Sequence, residues 1–224
     1  MSLLPQIEQS LQALAIDSGV GTASLAKSIE QYLLLIGKWN KIHNLTAIRD
    51  PYDMLVQHIM DSLAVVPHIR GPRIVDVGTG AGLPGIPIAL ARPDWHITLV
   101  ESNRKKAAFL QQVKIELALQ NVEIMAQRVE DVHLTGKVDT IITRAFSELG
   151  KFMALTRHLA VQNEASCRWV AMKADCAASE LQQIDDPFRI ETMVPLTVPG
   201  LDAVRQLVII KRHDSNSGIP ECMR

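Results

Sequence analysis

Residues 73–85, Arg-Ile-Val-Asp-Val-Gly-Thr-Gly-Ala-Gly-Leu-Pro-Gly, carry an apolar run straight into closely spaced glycines. Ile74, Val75 and Val77 are apolar on both faces, as a strand buried inside a parallel sheet must be. Glycines at 78, 80, 82 and 85 remove the Cβ atoms that would block a sharp turn and the close approach of backbone N–H groups to a ligand. A second apolar run, His96 to Val100, closes on Glu101. In dinucleotide folds an acid about 20 residues past the glycines holds a ribose hydroxyl pair. Strand, turn and acid together predict an α/β sheet with a nucleotide-cofactor site at its strand ends.

The glycines do not by themselves choose the cofactor. From Gly80 the segment Gly-Ala-Gly-Leu-Pro-Gly fits the G-x-G-x-x-G pattern of NAD and FAD proteins, which keeps an oxidoreductase open. Asp76 weighs against it: a carboxylate two residues before Gly78 suits a cationic amino-acid moiety and repels a pyrophosphate. Pro84 removes one N–H donor at the helix start, where a pyrophosphate would bind. Acid-x-Gly-x-Gly-x-Gly, followed by Glu101, resembles the S-adenosyl-L-methionine site of class I methyltransferases. On that reading Asp76, Gly78, Gly80, Gly82 and Glu101 face the cofactor.

The chain has 224 residues, room for one α/β core and an appendage. No apolar run is long enough to span a membrane, and the first residues lack a basic n-region. Cys167, Cys176 and Cys222 are odd in number and show no zinc-type spacing. A reduced, cytoplasmic protein without a structural metal is expected. The net charge of −1 excludes nucleic-acid binding by bulk electrostatics, so any RNA contact needs a local patch. Lys38 and Lys41 with Arg49, Arg104 to Lys106, Arg157 with His158, and Lys211 with Arg212 are the candidates.

Residues 1–70 carry helical periodicity. Leu4, Ile7, Leu11 and Leu14 mark one segment, and Leu25, Ile29, Leu33, Ile36 and Trp39 a second. A third begins with Asp50 as N-cap and Pro51 at the first helical position, and runs through Ile59 to Val66. These helices are too few for a core of their own, so they are expected to pack on the sheet. Beyond the glycines, strands are expected at 122–126, 138–143, 169–173, 189–196 and 206–211, with helices from Ser102 or Asn103 through Leu119, at 147–159 and at 177–184. The last two strands, joined by a Pro199-Gly200 turn, should pair antiparallel. The expected fold is one Rossmann-like α/β domain. It has a seven-stranded, mostly parallel sheet at 71–213 with helices on both faces, an N-terminal helical extension, and a flexible tail at 214–224.

Ligands of such sheets bind beyond the carboxyl ends of the strands. That shortlists residues 128–131, residues 143–146 (Thr-Arg-Ala-Phe) and Lys173. Val129 and Glu130 could bond an adenine edge. Residues 143–146 lack the Asp/Asn-Pro-Pro-aromatic signature of exocyclic amine methylation. No cysteine sits where a thiolate could add to a pyrimidine. What remains is an acceptor with a free lone pair, such as guanine N7, which needs alignment and water exclusion and no general base. Arg144 suits this, able to grip O6, a phosphate or the methionine carboxylate without accepting a proton. Its alternative is an ion pair with Glu130 or Asp131. Phe146 could stack a displaced base.

Five segments combine these features: 39–46 (Trp-Asn-Lys-Ile-His-Asn-Leu-Thr), 57–62 (Gln-His-Ile-Met-Asp-Ser), 75–87, 143–146, and 171–173 (Ala-Met-Lys). Together they resemble the small-subunit ribosomal RNA methyltransferase G family, also called glucose-inhibited division protein B, over about residues 30–212. The resemblance implies transfer of a methyl group from S-adenosyl-L-methionine to N7 of one guanine in a 16S rRNA loop near the decoding site, within the small ribosomal subunit or an assembly intermediate, by a monomer. It places Gly78, Leu83, Val129, Glu130 and Arg144 on the cofactor. His58 and Asp61 fall in a motif that faces the site or packs in the core. Lys173 matches a family lysine, and the glycine that usually follows it is Ala174 here. Other readings kept open are a methyltransferase for a small molecule or protein, and a ribosome-assembly factor with a vestigial pocket.

Overall fold

The computed structural model describes residues 2–144 and 148–213; Phe146, Cys222 and the expected tail lie outside the described residues. Seven strands form one sheet: β1 (Arg73–Val77), β2 (His96–Val100), β3 (Val122–Met125), β4 (Thr140–Arg144), β5 (Arg168–Lys173), β6 (Phe188–Pro195) and β7 (Gln206–Arg212). Their order is β3-β2-β1-β4-β5-β7-β6. Neighbours among β1 to β5 pair in parallel, and β7 inserts antiparallel between β5 and β6. The chain therefore steps away from β1 in both directions, and the reversal between β1 and β4 opens the crevice in which such sheets bind ligands.

Sequence chemistry sets the helix ends. The helices are α1 (Leu4–Leu14), α2 (Thr22–His43), α3 (Pro51–Met54), α4 (Asp61–Leu63), α5 (Gly85–Ala91), α6 (Arg104–Glu116), α7 (Leu149–Thr156) and α8 (Ala178–Leu181). Asp50 caps α3, its Oδ1 accepting from the N–H groups of Tyr52 and Asp53 at 2.9 and 3.0 Å. Asn103, one of the two expected caps, does the same for α6. That helix stops short of Leu119 because Ala118 takes a left-handed φ of 49°. Asn44 ends α2 at φ 47°, a conformation asparagine tolerates. The Asn40 side chain bridges the exit, with Oδ1 accepting from Thr46 N–H and Nδ2 donating to the Ile48 carbonyl.

Several boundaries depart from expectation, these among them. The third helix is not a continuous α-helix: α3 passes into a π-helical turn, Leu55–Met60, before α4. The helix expected at 147–159 is α7, with its last part tightened to a 3₁₀ turn, Arg157–Ala160. The strand expected to end at Thr143 runs one residue further, so that Arg144 is its last member.

Apolar residues fill both faces of the sheet. On one, Ile7, Leu25, Ile29, Tyr32, Leu33 and Ile36 of α1 and α2 join Ile86, Phe109, Ile97 and Leu99 in a single core. On the other, Phe152 and Leu149 of α7 cover Val75, Ile141 and Trp169. Burying one large aliphatic or aromatic side chain contributes about 1.5–3 kcal/mol. The N-terminal helices share their core with the sheet, as their sequence predicts. No helix among the described residues is long and apolar enough to cross a membrane.

Candidate active site

Beyond β1 the chain turns at Gly78, Gly80 and Gly82, whose φ values of 68°, 62° and 93° are strained for any residue with a Cβ. The space over Gly78 is open, whereas a Cβ on Gly82 would lie 2.5 Å from Ile86 Cγ1. Six of the loop's N–H groups are committed. Gly78 and Thr79 donate to the Val100 carbonyl, Gly82 and Leu83 to the Thr79 carbonyl, Gly80 to Glu101 Oε2, and Gly85 to Asp76 Oδ2. A pyrophosphate needs those donors, so the loop is a poor dinucleotide cradle. Leu83 is buried beneath the loop.

Asp76 is fully buried, and its Oδ2 accepts from the Thr79 hydroxyl at 2.5 Å and from Gly85 N–H at 2.8 Å. Its Oδ1 is buried with no hydrogen-bond partner. Burial pushes the carboxyl up to about 6, against the pull of those two bonds. A buried carboxylate oxygen lacking a donor beside a Cβ-free loop fits the cationic methionine end of S-adenosylmethionine. Glu101, expected to grip a ribose, is also buried; its Oε1 accepts from Asn103 N–H at 2.7 Å and its Oε2 from Gly80 N–H at 2.9 Å. It therefore holds the loop to the start of α6, and each oxygen keeps a second lone pair. After β3, Val129 and Glu130 sit in a 3₁₀ turn, Val129 buried and Glu130 exposed.

Beyond β4 and β5 lies a cavity of about 390 Å³ lined by His58, Asp61, Arg144, Lys173, Ala174 and Arg205, among others. Arg144 does not pair with Glu130 or Asp131. Its Nη1 donates to the Gln57 carbonyl at 3.1 Å and lies 3.5 Å from Asp61 Oδ2: the π-helical turn carries Gln57, and Asp61 follows it as the first residue of α4. Asp61 Oδ1 accepts from Arg205 Nε at 3.1 Å. Burial raises the Asp61 carboxyl above its ordinary range even with both guanidinium groups drawing it down.

His58 is buried, with Nε2 2.7 Å from the Thr46 hydroxyl and Nδ1 3.4 Å from Arg144 Nη1. The Arg144 guanidinium only donates, whereas the Gln57 carbonyl accepts from the ring, so these two neighbours favour opposite tautomers of His58. Burial first, then the Arg144 charge, depress its pKa to about 4. Lys173 is paired with Glu180. Ala174 has no positive φ, so the residue that replaces the family's glycine sits without backbone strain. Burial lifts the Cys167 and Cys176 thiols to about 12 and about 11, which leaves neither as a thiolate at neutral pH. Among the described residues no group of three or more His, Cys, Asp or Glu side chains could hold a metal ion.

Four contributors escaped the sequence reading. Thr79 lies within the glycine motif and Thr46 within the 39–46 segment, so both were marked as segments but not as side chains. Tyr32 lies in α2 outside the apolar positions that mark that segment, and its hydroxyl donates to the Ala81 carbonyl at 2.5 Å. Arg205 carries no local signal, and the fold brings it to Asp61 across 144 residues of sequence.

The family model of rRNA small subunit methyltransferase G matches residues 25–209. The ribosomal RNA small subunit methyltransferase G of Nitrosomonas eutropha is 50% identical over 213 residues, 95% of this chain and 99% of that protein. Its counterpart from Nitrosospira multiformis is 53% identical over 195 residues, 85% of this chain and 90% of that protein. Among solved structures, a SAM-dependent methyltransferase from Aquifex aeolicus superposes with a TM-score of 0.53 over 78% of this chain and 97% of that one, at 15% identity, a likeness of fold alone. The glycine loop, the sheet order and the motifs from Trp39 to Lys173 thus have one source: the chain belongs to the rRNA small subunit methyltransferase G family.

Proposed function

We propose that this chain transfers the methyl group of S-adenosyl-L-methionine to N7 of one guanine in 16S rRNA. One observation carries the choice of acceptor: among the described residues, the cavity beyond β4 and β5 offers no available base. Both nitrogens of His58 are engaged, Asp61 is shared by two arginines, and Lys173 is paired with Glu180. An exocyclic amine or a hydroxyl would have to lose a proton, whereas N7 attacks with a lone pair it already has. The residues then act by placement. Asp76 Oδ1 and the open face over Gly78 receive the methionine end of the cofactor, and Val129 with Glu130 receives its adenine. The cofactor, when bound, supplies an electrophilic methyl on a sulfonium. Arg144, at the strand end between the two regions, orients the guanine and excludes water from the transfer path.

The weak net charge favours recognition of a folded small-subunit particle by shape and composite contacts over naked RNA. The protein then acts in the cytoplasm, where such particles exist. Mapping N7-methylguanosine in 16S rRNA from cells with and without the gene tests the reading. One guanine that loses its methyl group on deletion is expected, and an unchanged map overturns it.

A further inference from the structure

The cavity beyond β4 and β5 has two walls of unlike chemistry. Arg144 stands at the wall nearest β1 and the glycine loop. Arg205 stands at the other, on the residue preceding β7. Both guanidinium groups keep about a quarter of their side-chain surface exposed, while Asp61 between them is almost fully covered. Arg205 spends Nε on Asp61 and Nη1 on the Val204 carbonyl, so its plane is fixed before any ligand arrives. The turn that delivers it is fitted to the helix: a Cβ on Gly200, at φ +79°, would sit 3.2 Å from Val56 Cγ2 in the π-helical turn. The volume matches a nucleotide-sized site. The charges leave a surplus of positive character, with three cations (Arg144, Arg205, Lys173) against two carboxylates (Asp61, Glu180) and a neutral His58.

We infer that Arg205, held by Asp61, binds the backbone phosphodiester next to the target guanine and so sets the depth to which that nucleotide enters the cavity. The inference rests on the RNA-methyltransferase reading above. Topology favours RNA over the methionine carboxylate as the anion. The glycine loop and Glu101 lie beyond β1 and β2, on one side of the reversal, and Arg205 lies with β5 and β7 on the other. A pre-oriented guanidinium is the donor best matched to phosphate geometry. Asp61 turns Arg205 inward and Arg144 across the crevice, so one carboxylate couples the two walls.

The test is equilibrium binding of the full chain to small-subunit particles in the presence of S-adenosylhomocysteine, across a salt series, with calorimetric titration of S-adenosylmethionine alongside. Arg205→Gln is expected to weaken particle binding about tenfold, the loss of one charge-assisted bond. It should also make the plot of log affinity against log salt shallower by about 0.7–1, the signature of one lost phosphate contact. S-adenosylmethionine affinity should not change, and Arg205→Lys should restore the salt slope but only part of the affinity. The double variant Asp61→Asn/Arg205→Gln also removes the carboxylate that Arg205 shares with Arg144 and should show the same shallow slope. An unchanged slope in both variants overturns the inference. So does a loss confined to S-adenosylmethionine, which would reassign Arg205 to the methionine carboxylate. Because binding is read without methyl transfer, failure of N7 methylation by the wild-type chain stays distinguishable from failure of the phosphate contact.

Discussion

Tyr32, in the middle of α2, donates its hydroxyl hydrogen to the carbonyl of Ala81 in the glycine loop at 2.5 Å. The ring is fully buried, and the same hydroxyl would lie 3.0 Å from a Cβ on Gly82. The N-terminal helices therefore do more than cover the sheet: one of them is bonded to the glycine loop, where we propose the cofactor binds.

Tyr32→Phe leaves the ring and removes the donor. The stranded Ala81 carbonyl should cost about 1–3 kcal/mol of stability, read from urea unfolding. S-adenosylmethionine affinity should fall several-fold by calorimetry as the loop loosens. Wild-type affinity in a stable Tyr32→Phe chain would separate the extension from the cofactor site.

If Asp76 meets the cofactor as proposed, cofactor binding is expected to depend on pH. Burial has raised its folded pKa to about 6. In the free protein this favours the protonated form, so its stabilising contribution is full below the ordinary carboxylate pKa and is lost as pH rises through about 6. A bound cation reverses the preference and draws the proton off. S-adenosylmethionine affinity should thus rise about tenfold between pH 5 and pH 7 and then level. Thr79→Val deletes the hydroxyl that lowers this pKa and should move the midpoint upward. A flat profile would mean that the Asp76 carboxylate does not meet the cation.

His58 runs the other way. Its folded pKa, depressed to about 4 from 6.5, gives stability that is present above pH 6.5 and is lost as pH falls toward 4. Over that window His58 and Asp76 oppose each other. His58→Gln should remove one side of the balance and change the slope of stability against pH by up to about 1.4 kcal/mol per pH unit, with the variant gaining on the wild type as the solution is acidified. Parallel stability curves from denaturant titrations would show that His58 titrates normally.

Arg144 touches the Gln57 carbonyl, Asp61 and His58 from the last residue of β4. Arg144→Ala should reduce methyl transfer by at least about a hundredfold, the scale of losing a positioned charged donor, with a stability loss of only about 1–3 kcal/mol because Asp61 retains Arg205. Arg144→Lys should not recover the rate, since an ammonium cannot span three partners in one plane. Near wild-type turnover in Arg144→Ala would remove this residue from the reaction.

The readable parts of the chain were those whose chemistry is local. An apolar run before Gly78 can only be a buried strand, Asp50-Pro51 can only start a helix, and Asn44 leaves one in the left-handed region that few residues accept. The cavity was legible on one side only. Arg144 and Lys173 end strands, which sequence periodicity locates, whereas Arg205 reaches Asp61 through the insertion of β7 between β5 and β6, a pairing that no short-range pattern encodes. Asp76 and Glu101 were legible as acids at strand ends but not as acceptors for Gly85 and Gly80, since a loop's internal bonds depend on its folded path. The π-helical turn was hidden for a related reason: its apolar spacing reads as an ordinary helix, and only the groups it presents to Arg144 distinguish it.

The central claim is that the chain places a methyl group on guanine N7 in small-subunit RNA. Purified protein incubated with small-subunit particles and S-adenosylmethionine, followed by borohydride reduction and aniline cleavage of the RNA, reads that atom directly, because N7 methylation makes a guanosine labile to this treatment while an unmethylated guanosine resists it. The account predicts one new cleavage in 16S rRNA that depends on the cofactor and is lost in Arg144→Ala. Methyl incorporation into the RNA without cleavage, or no incorporation at all, would contradict it.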